Sequence, residues 1–192
     1  MRVSPPALVA AEQTAHALLG AMGDRWRHSM GVAARAAELA ARLDLDADVL
    51  VAAAWLHDIG YAAEAVVTGF HPLDGARYLV GERWPLRVAG LVAYHSGARF
   101  IAVARGLGSA LAVFRDEAGA MQEALTYADQ TVGPCGDRVT TSERHAEMLR
   151  RHGSDSWNAR IDHLRGPHLR AIAVRVERRL ADAPAPAAAG AR

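Results

Sequence analysis

Val49-Leu50-Val51-Ala52-Ala53-Ala54-Trp55-Leu56-His57-Asp58-Ile59-Gly60 is the stretch on which the reading of the fold turns. Asp46 upstream is a helix-capping type and Gly60 one that ends helices, so the spacing predicts a helix from the Asp46 cap to near Gly60. Its apolar run, Val49 to Leu56, is the longest clean one in the chain. It falls far short of the ~20 residues a membrane-spanning helix needs. Outward in both directions, apolar residues recur at spacings of three and four, and no segment alternates like a β-strand, so the chain reads as all-α.

Upstream, Ser4 followed by Pro5 and Pro6 starts a helix running to about Met22, and Asp24 caps a second to about Leu43. Downstream, Pro72 opens a fourth helix after His71, Trp84-Pro85 a fifth to about His95, and Ala98 to Arg105 form a short sixth. A further helix ends near Asp129, and Thr131 to Asp137 is a loop of turn-forming residues. Further helices are expected from Ser142 to Arg151, after a Ser154 cap, and from Pro167 to about Asp182. With no internal repeat or linker, residues 1–182 read as a single helical domain, with a core at about 24–132 and C-terminal helices at about 140–182. The Ala/Pro segment 183–192 has nothing to pack and is expected to be disordered.

Composition narrows the function. Of 192 residues, 51% are hydrophobic and 22% charged, which excludes a disordered chain. The basic residues are all Arg, 22 against 21 acids, a net charge of +1. That balance, with 6% aromatics, argues against nucleic acid as the main partner. The N-terminus shows no targeting peptide, and the single cysteine, Cys135, a neutral loop residue, fits a reducing cytoplasm. No oligomeric state is assigned.

Polar residues interrupt apolar faces at four places. His28 lines up with Val32, Ala36, Leu39 and Leu43, and His57 with Leu50 and Ala54, Asp58 following it. Trp84, Val88, Leu91 and Val92 lead to His95, and Met121, Leu125 and Ala128 lead to Asp129. A single histidine on an apolar face is ordinarily a satisfied core residue. The carboxylates resist that reading, because Asp58 and Asp129 sit near helix C-termini, where the macrodipole disfavours an anion by a few tenths to ~1 kcal/mol. A buried carboxylate without a partner costs far more, and no Arg adjoins either one. A divalent metal held by imidazole and carboxylate answers both observations, and these ligands suit Fe, Mn, Co or Zn.

Arg25-Trp26-Arg27-His28-Ser29, Ala54-Trp55-Leu56-His57-Asp58-Ile59-Gly60 and Tyr127-Ala128-Asp129 resemble the HD-domain metal-dependent phosphohydrolase superfamily, over roughly residues 24 to 132. The resemblance implies an all-helical scaffold on which His28, His57, Asp58 and Asp129 ligate one metal. The order His, His-Asp, His, His, Asp is similar to the dinuclear subset, which implies that His71 and His95 hold a second ion and that Asp58 bridges. The ions implied are Fe or Mn first, with Co, Ni, Zn or Mg as alternatives. The implied reaction is hydrolysis of a phosphate ester, with His57, Asp58 and Arg99 as catalytic residues and a nucleotide or other small phosphorylated metabolite as substrate. Two alternatives stand beside it: a mixed-valent di-iron oxygenase, whose ligand order is the same, and a non-catalytic metal- or nucleotide-binding sensor.

Many members carry Lys after the Gly of the doublet motif, where this chain has Tyr61. In a lysine-free protein the substrate phosphate then calls for Arg. Arg25, three residues before His28, and Arg99, four past His95, are the candidates. His16, His145, His152, His163 and His168 lie outside every motif and read as surface residues.

Overall fold

The computed structural model describes residues 5–184, so the Ser4 cap and almost all of the Ala/Pro segment lie outside the described residues. The elements in order are α1 (Pro5–Leu19), α2 (Asp24–Leu43), α3 (Ala47–Leu56), α4 (His71–Gly81), α5 (Leu86–Tyr94), α6 (Ala98–Ala104), α7 (Gly108–Leu111), α8 (Ala120–Gln130), α9 (Thr141–His152), α10 (Trp157–Arg160) and α11 (Asp162–Asp182). Single 3₁₀ turns at Ile59–Tyr61 and His95–Gly97 follow α3 and α5. Among the described residues the only β pairing is an isolated bridge between Val132 and Arg138, and the chain is all-α. No helix of the described residues is long and apolar enough to cross a membrane.

The helix α3 is apolar nearly all round and is correspondingly the buried one, packed on α1, α2, α5 and α8. Leu50, Ala53 and Leu56 meet Leu19 of α1, Val32, Ala36 and Leu39 of α2, Leu91 of α5 and Leu125 of α8 in one core cluster, which Ile172 and Val176 of α11 also join. Much of this core is alanine, which lets the helix backbones approach closely. A smaller cluster of Phe70, Leu73, Ala93, Ala98, Ala102 and Leu111 supports the other side of α4 and α5.

The Asp46 cap is as expected, its carboxylate accepting from the Val49 N–H at 3.3 Å. Other boundaries differ. The first helix stops at Leu19, before Met22, and Asp24 is the first residue of α2 with Gly23 at the cap, leaving Asp24 to complement the dipole. The third helix ends at Leu56, not Gly60, because the chain turns into 3₁₀ geometry at Ile59. Gly60 is there for closeness: a Cβ on it would lie 2.0 Å from the His71 carbonyl oxygen, so α4 starts directly against this turn. Thr140 and Glu143 form a reciprocal capping box that starts α9. Ser156, not Ser154, caps α10, and α11 begins at Asp162, five residues before Pro167, which the helix accommodates inside it.

Candidate metal centre

The helices of the core end at the same place. α2 carries His28 near its start, α3 and α5 deliver His57 and His95 at their C-termini, α4 opens on His71, and α8 brings Asp129 near its end. The last carbonyls of a helix lack intrahelical partners. His57 uses one of them, donating from Nδ1 to the Ala54 oxygen at 2.7 Å, and His95 does the same to Val92 at 2.6 Å. His28 Nδ1 donates to the Gly133 oxygen, at 3.1 Å, in the loop after α8. A carbonyl only accepts, so each of these rings carries its proton on Nδ1 when neutral and turns an Nε2 lone pair inward.

Two groups result, His28 with His57 and Asp58, and Asp58 with His71 and His95, the ligand atoms of each lying within 4.8 Å of one another. Asp58 is shared: Oδ2 is 3.4 Å from His57 Nε2, and Oδ1 is 3.4 Å from His71 Nε2. The Nε2 atoms of His71 and His95 face each other at 3.2 Å, and His57 Nε2 is buried without a hydrogen-bond partner. Converging lone pairs around a carboxylate, with one nitrogen orphaned in the interior, fit a bound cation and are poorly served without one. Asp129 stands apart from both groups. Its Oδ1 is 3.0 Å from His28 Nε2, while Oδ2 accepts from the Ser96 hydroxyl and from Gln130 Nε2 at 3.1 Å.

Burial raises the pKa of Asp58, but Arg25 at 2.6 Å, then His57, outweigh it and hold the carboxyl well below its usual range. Asp129 is likewise depressed, burial being outweighed by His28 and by Arg144. Burial holds His71 well below an ordinary histidine against the pull of Asp58, and burial and His57 lower His95. In His57 the order reverses, because Asp58 overcomes burial and raises it. Ligand histidines kept unprotonated are what a metal site requires.

Tyr61, the residue after the Gly60 that closes the doublet motif, forms a wall of the site. Its ring stacks on His71 with centroids 4.1 Å apart, Arg25 lies 3.8 Å over the ring centroid, and burial and Asp58 push its phenol up to about 12. The nearby cation thus comes from α2.

A cavity of about 310 Å³ opens onto Asp58, His71 and His95 and is lined by Arg25, Arg105, Arg144, Arg151 and Arg165 among others. The structure brings together His28, His57, Asp58, His71 and His95, sets Asp129 against His28, and puts Arg25 on Asp58. Arg99 is elsewhere: it lines a separate cavity of about 220 Å³ with its guanidinium 3.3 Å from His168 Nδ1. Arg99 is four residues past His95, but Ser96 (φ 51°) and Gly97 (φ 70°) turn the backbone left-handed between the two helices and aim it away from the His95 face. Sequence reasoning missed Arg144 and Arg165, both buried, from helices read as peripheral. A signal was present, since Arg144 precedes Met148 by four residues and Arg165 shares the stripe of Leu169, Ile172 and Val176. His152, read as a surface residue, is exposed but lines the mouth of the cavity. His145 pairs with Asp162 at 3.1 Å, His163 is exposed, and His16 sits edge-on to Trp26.

No curated protein and no solved structure is similar enough to the chain to match it. The sequence model of the HD domain does match, over residues 25–132, more than half of the 192 residues. That span holds both metal-capable groups and Asp129. The chain belongs to the HD domain family.

Proposed function

We propose that the protein is a metal-dependent phosphohydrolase acting on a phosphate ester of a nucleotide or another small metabolite, with two divalent ions, Fe or Mn. The observation that carries this is the pair of histidine groups sharing Asp58, with the lone pairs of His28, His57 and His95 set by backbone carbonyls, beside an arginine-lined cavity. His28, His57 and Asp58 would hold one ion, with Asp129 closing on it beside His28, and Asp58, His71 and His95 the other. A bound divalent ion supplies a Lewis acid and makes hydroxide available near neutral pH. The chain's own part is to favour the unprotonated form of His71 and His95, to fix the direction of His57, His95 and His28 through Ala54, Val92 and Gly133, and to place guanidinium groups around the entering anion. The small cavity and balanced surface charge support a small-molecule partner, and the free, exposed Cys135 supports the cytoplasm.

The test is turnover under argon. A hydrolase needs no change of valence, so phosphate release from a panel of phosphoesters with Mn is expected at a similar rate under argon and in air. Turnover that requires iron and stops without oxygen overturns the hydrolase in favour of an oxygenase on the same ligands, and metal binding with no turnover on any substrate favours a sensor.

His71→Ala separates one ion from two. Elemental analysis is expected to give close to two ions per wild-type chain and close to one in the variant, since only the second group uses His71. An unchanged single ion would leave His71 and His95 as structural or substrate-contact residues.

A further inference from the structure

Five arginines line the cavity over Asp58, His71 and His95, and four are engaged. Arg25 pairs with Asp58 at 2.6 Å, Arg151 with Glu147 at 2.9 Å, and Arg144 with Glu147 at 2.5 Å and Asp129 at 3.6 Å. Arg105 donates to the carbonyls of Gly69 and Thr68, each at 2.9 Å. Arg165 differs. Like Arg105 it forms no ion pair among the described residues, but it is 5% exposed, with Asp129 and Asp162 acting on it only from a distance. Its Nε donates to the Ser96 carbonyl at 2.8 Å and its Nη1 rests 3.9 Å from the Met148 sulfur. Nη2 makes no hydrogen bond among the described residues.

A guanidinium stays protonated at any physiological pH, and burying it without a counter-charge is costly. Such a group is kept where an anion from outside completes it. We propose that Arg165 is the anchor for the terminal phosphoryl group of the substrate, an inference that rests on the phosphohydrolase reading above. It enters from α11, outside the matched residues 25–132, and is braced for the task. Nε is tied to the residue after His95, and the stem lies across Gly97, where a Cβ would come within 3.3 Å of Arg165 Cγ. Arg165 lines the cavity together with His71 and His95 of the second histidine group, and a guanidinium with an unbonded Nη2 there suits phosphate binding. Five arginines against two aspartates on the cavity wall suit a doubly charged phosphate monoester better than a singly charged diester.

The experiment uses the full chain loaded with Mn, the variants Arg165→Met and Arg165→Lys, and inorganic phosphate as calorimetric probe. Arg165→Met is expected to keep the wild-type Mn content and a melting temperature equal to or above wild type, while phosphate affinity falls about tenfold or more. KM for a phosphate monoester should rise in parallel. Arg165→Lys, which keeps charge but loses the fork, should bind phosphate at an intermediate affinity, and it serves as the test if Arg165→Met does not fold. Equal phosphate affinity in a folded variant, or a wild-type protein that binds no phosphate, overturns the anchor. Arg165-dependent phosphate binding without hydrolysis of any ester sustains the anchor and removes the hydrolase instead; hydrolysis indifferent to Arg165 does the reverse.

Discussion

Asp58→Ala is expected to empty both metal positions at once and to abolish phosphoester hydrolysis. Among the described residues Asp58 is the only ligand candidate that belongs to both groups, with one carboxylate oxygen toward each. Its loss therefore differs in kind from that of His28 or His71, which serve one group each. Metal catalysis contributes several kcal/mol of transition-state stabilisation, so turnover should fall by about a thousandfold or more. The fold should survive. Asp58 lies beyond the end of α3 and its ion-pair partner Arg25 faces the cavity, where water can solvate the freed guanidinium. Elemental analysis, circular dichroism and a phosphate-release assay on the same preparation decide it. Full activity from metal-free Asp58→Ala protein would end the metal-centre reading.

Gly60→Ala is expected to be the most damaging single methyl addition near the site. The new Cβ would lie 2.0 Å from the His71 carbonyl oxygen and 2.6 Å from the Gly75 amide nitrogen. Both are backbone atoms of α4, so no side chain can swing away, and the helix itself must shift. Overpacking of this kind costs at least the upper part of the ~1–3 kcal/mol range. For a chain of this size that is a fall of roughly 5–12 °C in melting temperature. Because α4 starts at His71, the shift also carries that imidazole away from Asp58, and the variant should lose the second ion while keeping the first. A variant with wild-type melting temperature and both ions would show that the 3₁₀ turn can yield.

The sequence by itself determined the helical class, the buried run Val49 to Leu56, and which imidazoles and carboxylates point inward, because one-sided apolar spacing is a local property that each helix carries alone. The doublet His57-Asp58 and the stripes leading to His28 and His95 belong to that class of information. What only the tertiary structure decided are relations between elements. That Asp129 turns to His28 and Ser96, and that Arg25 pairs with Asp58 and lies over Tyr61, depend on how five helix ends meet. Arg99 shows the limit clearly: spacing carries a side chain's direction only while the helix is unbroken, and two left-handed residues at Ser96 and Gly97 end that transfer. Arg165 shows the converse. Its stripe was legible, but its cavity is formed by segments far apart in the chain, and a charged residue on an apolar face acquires its meaning only from what stands opposite it.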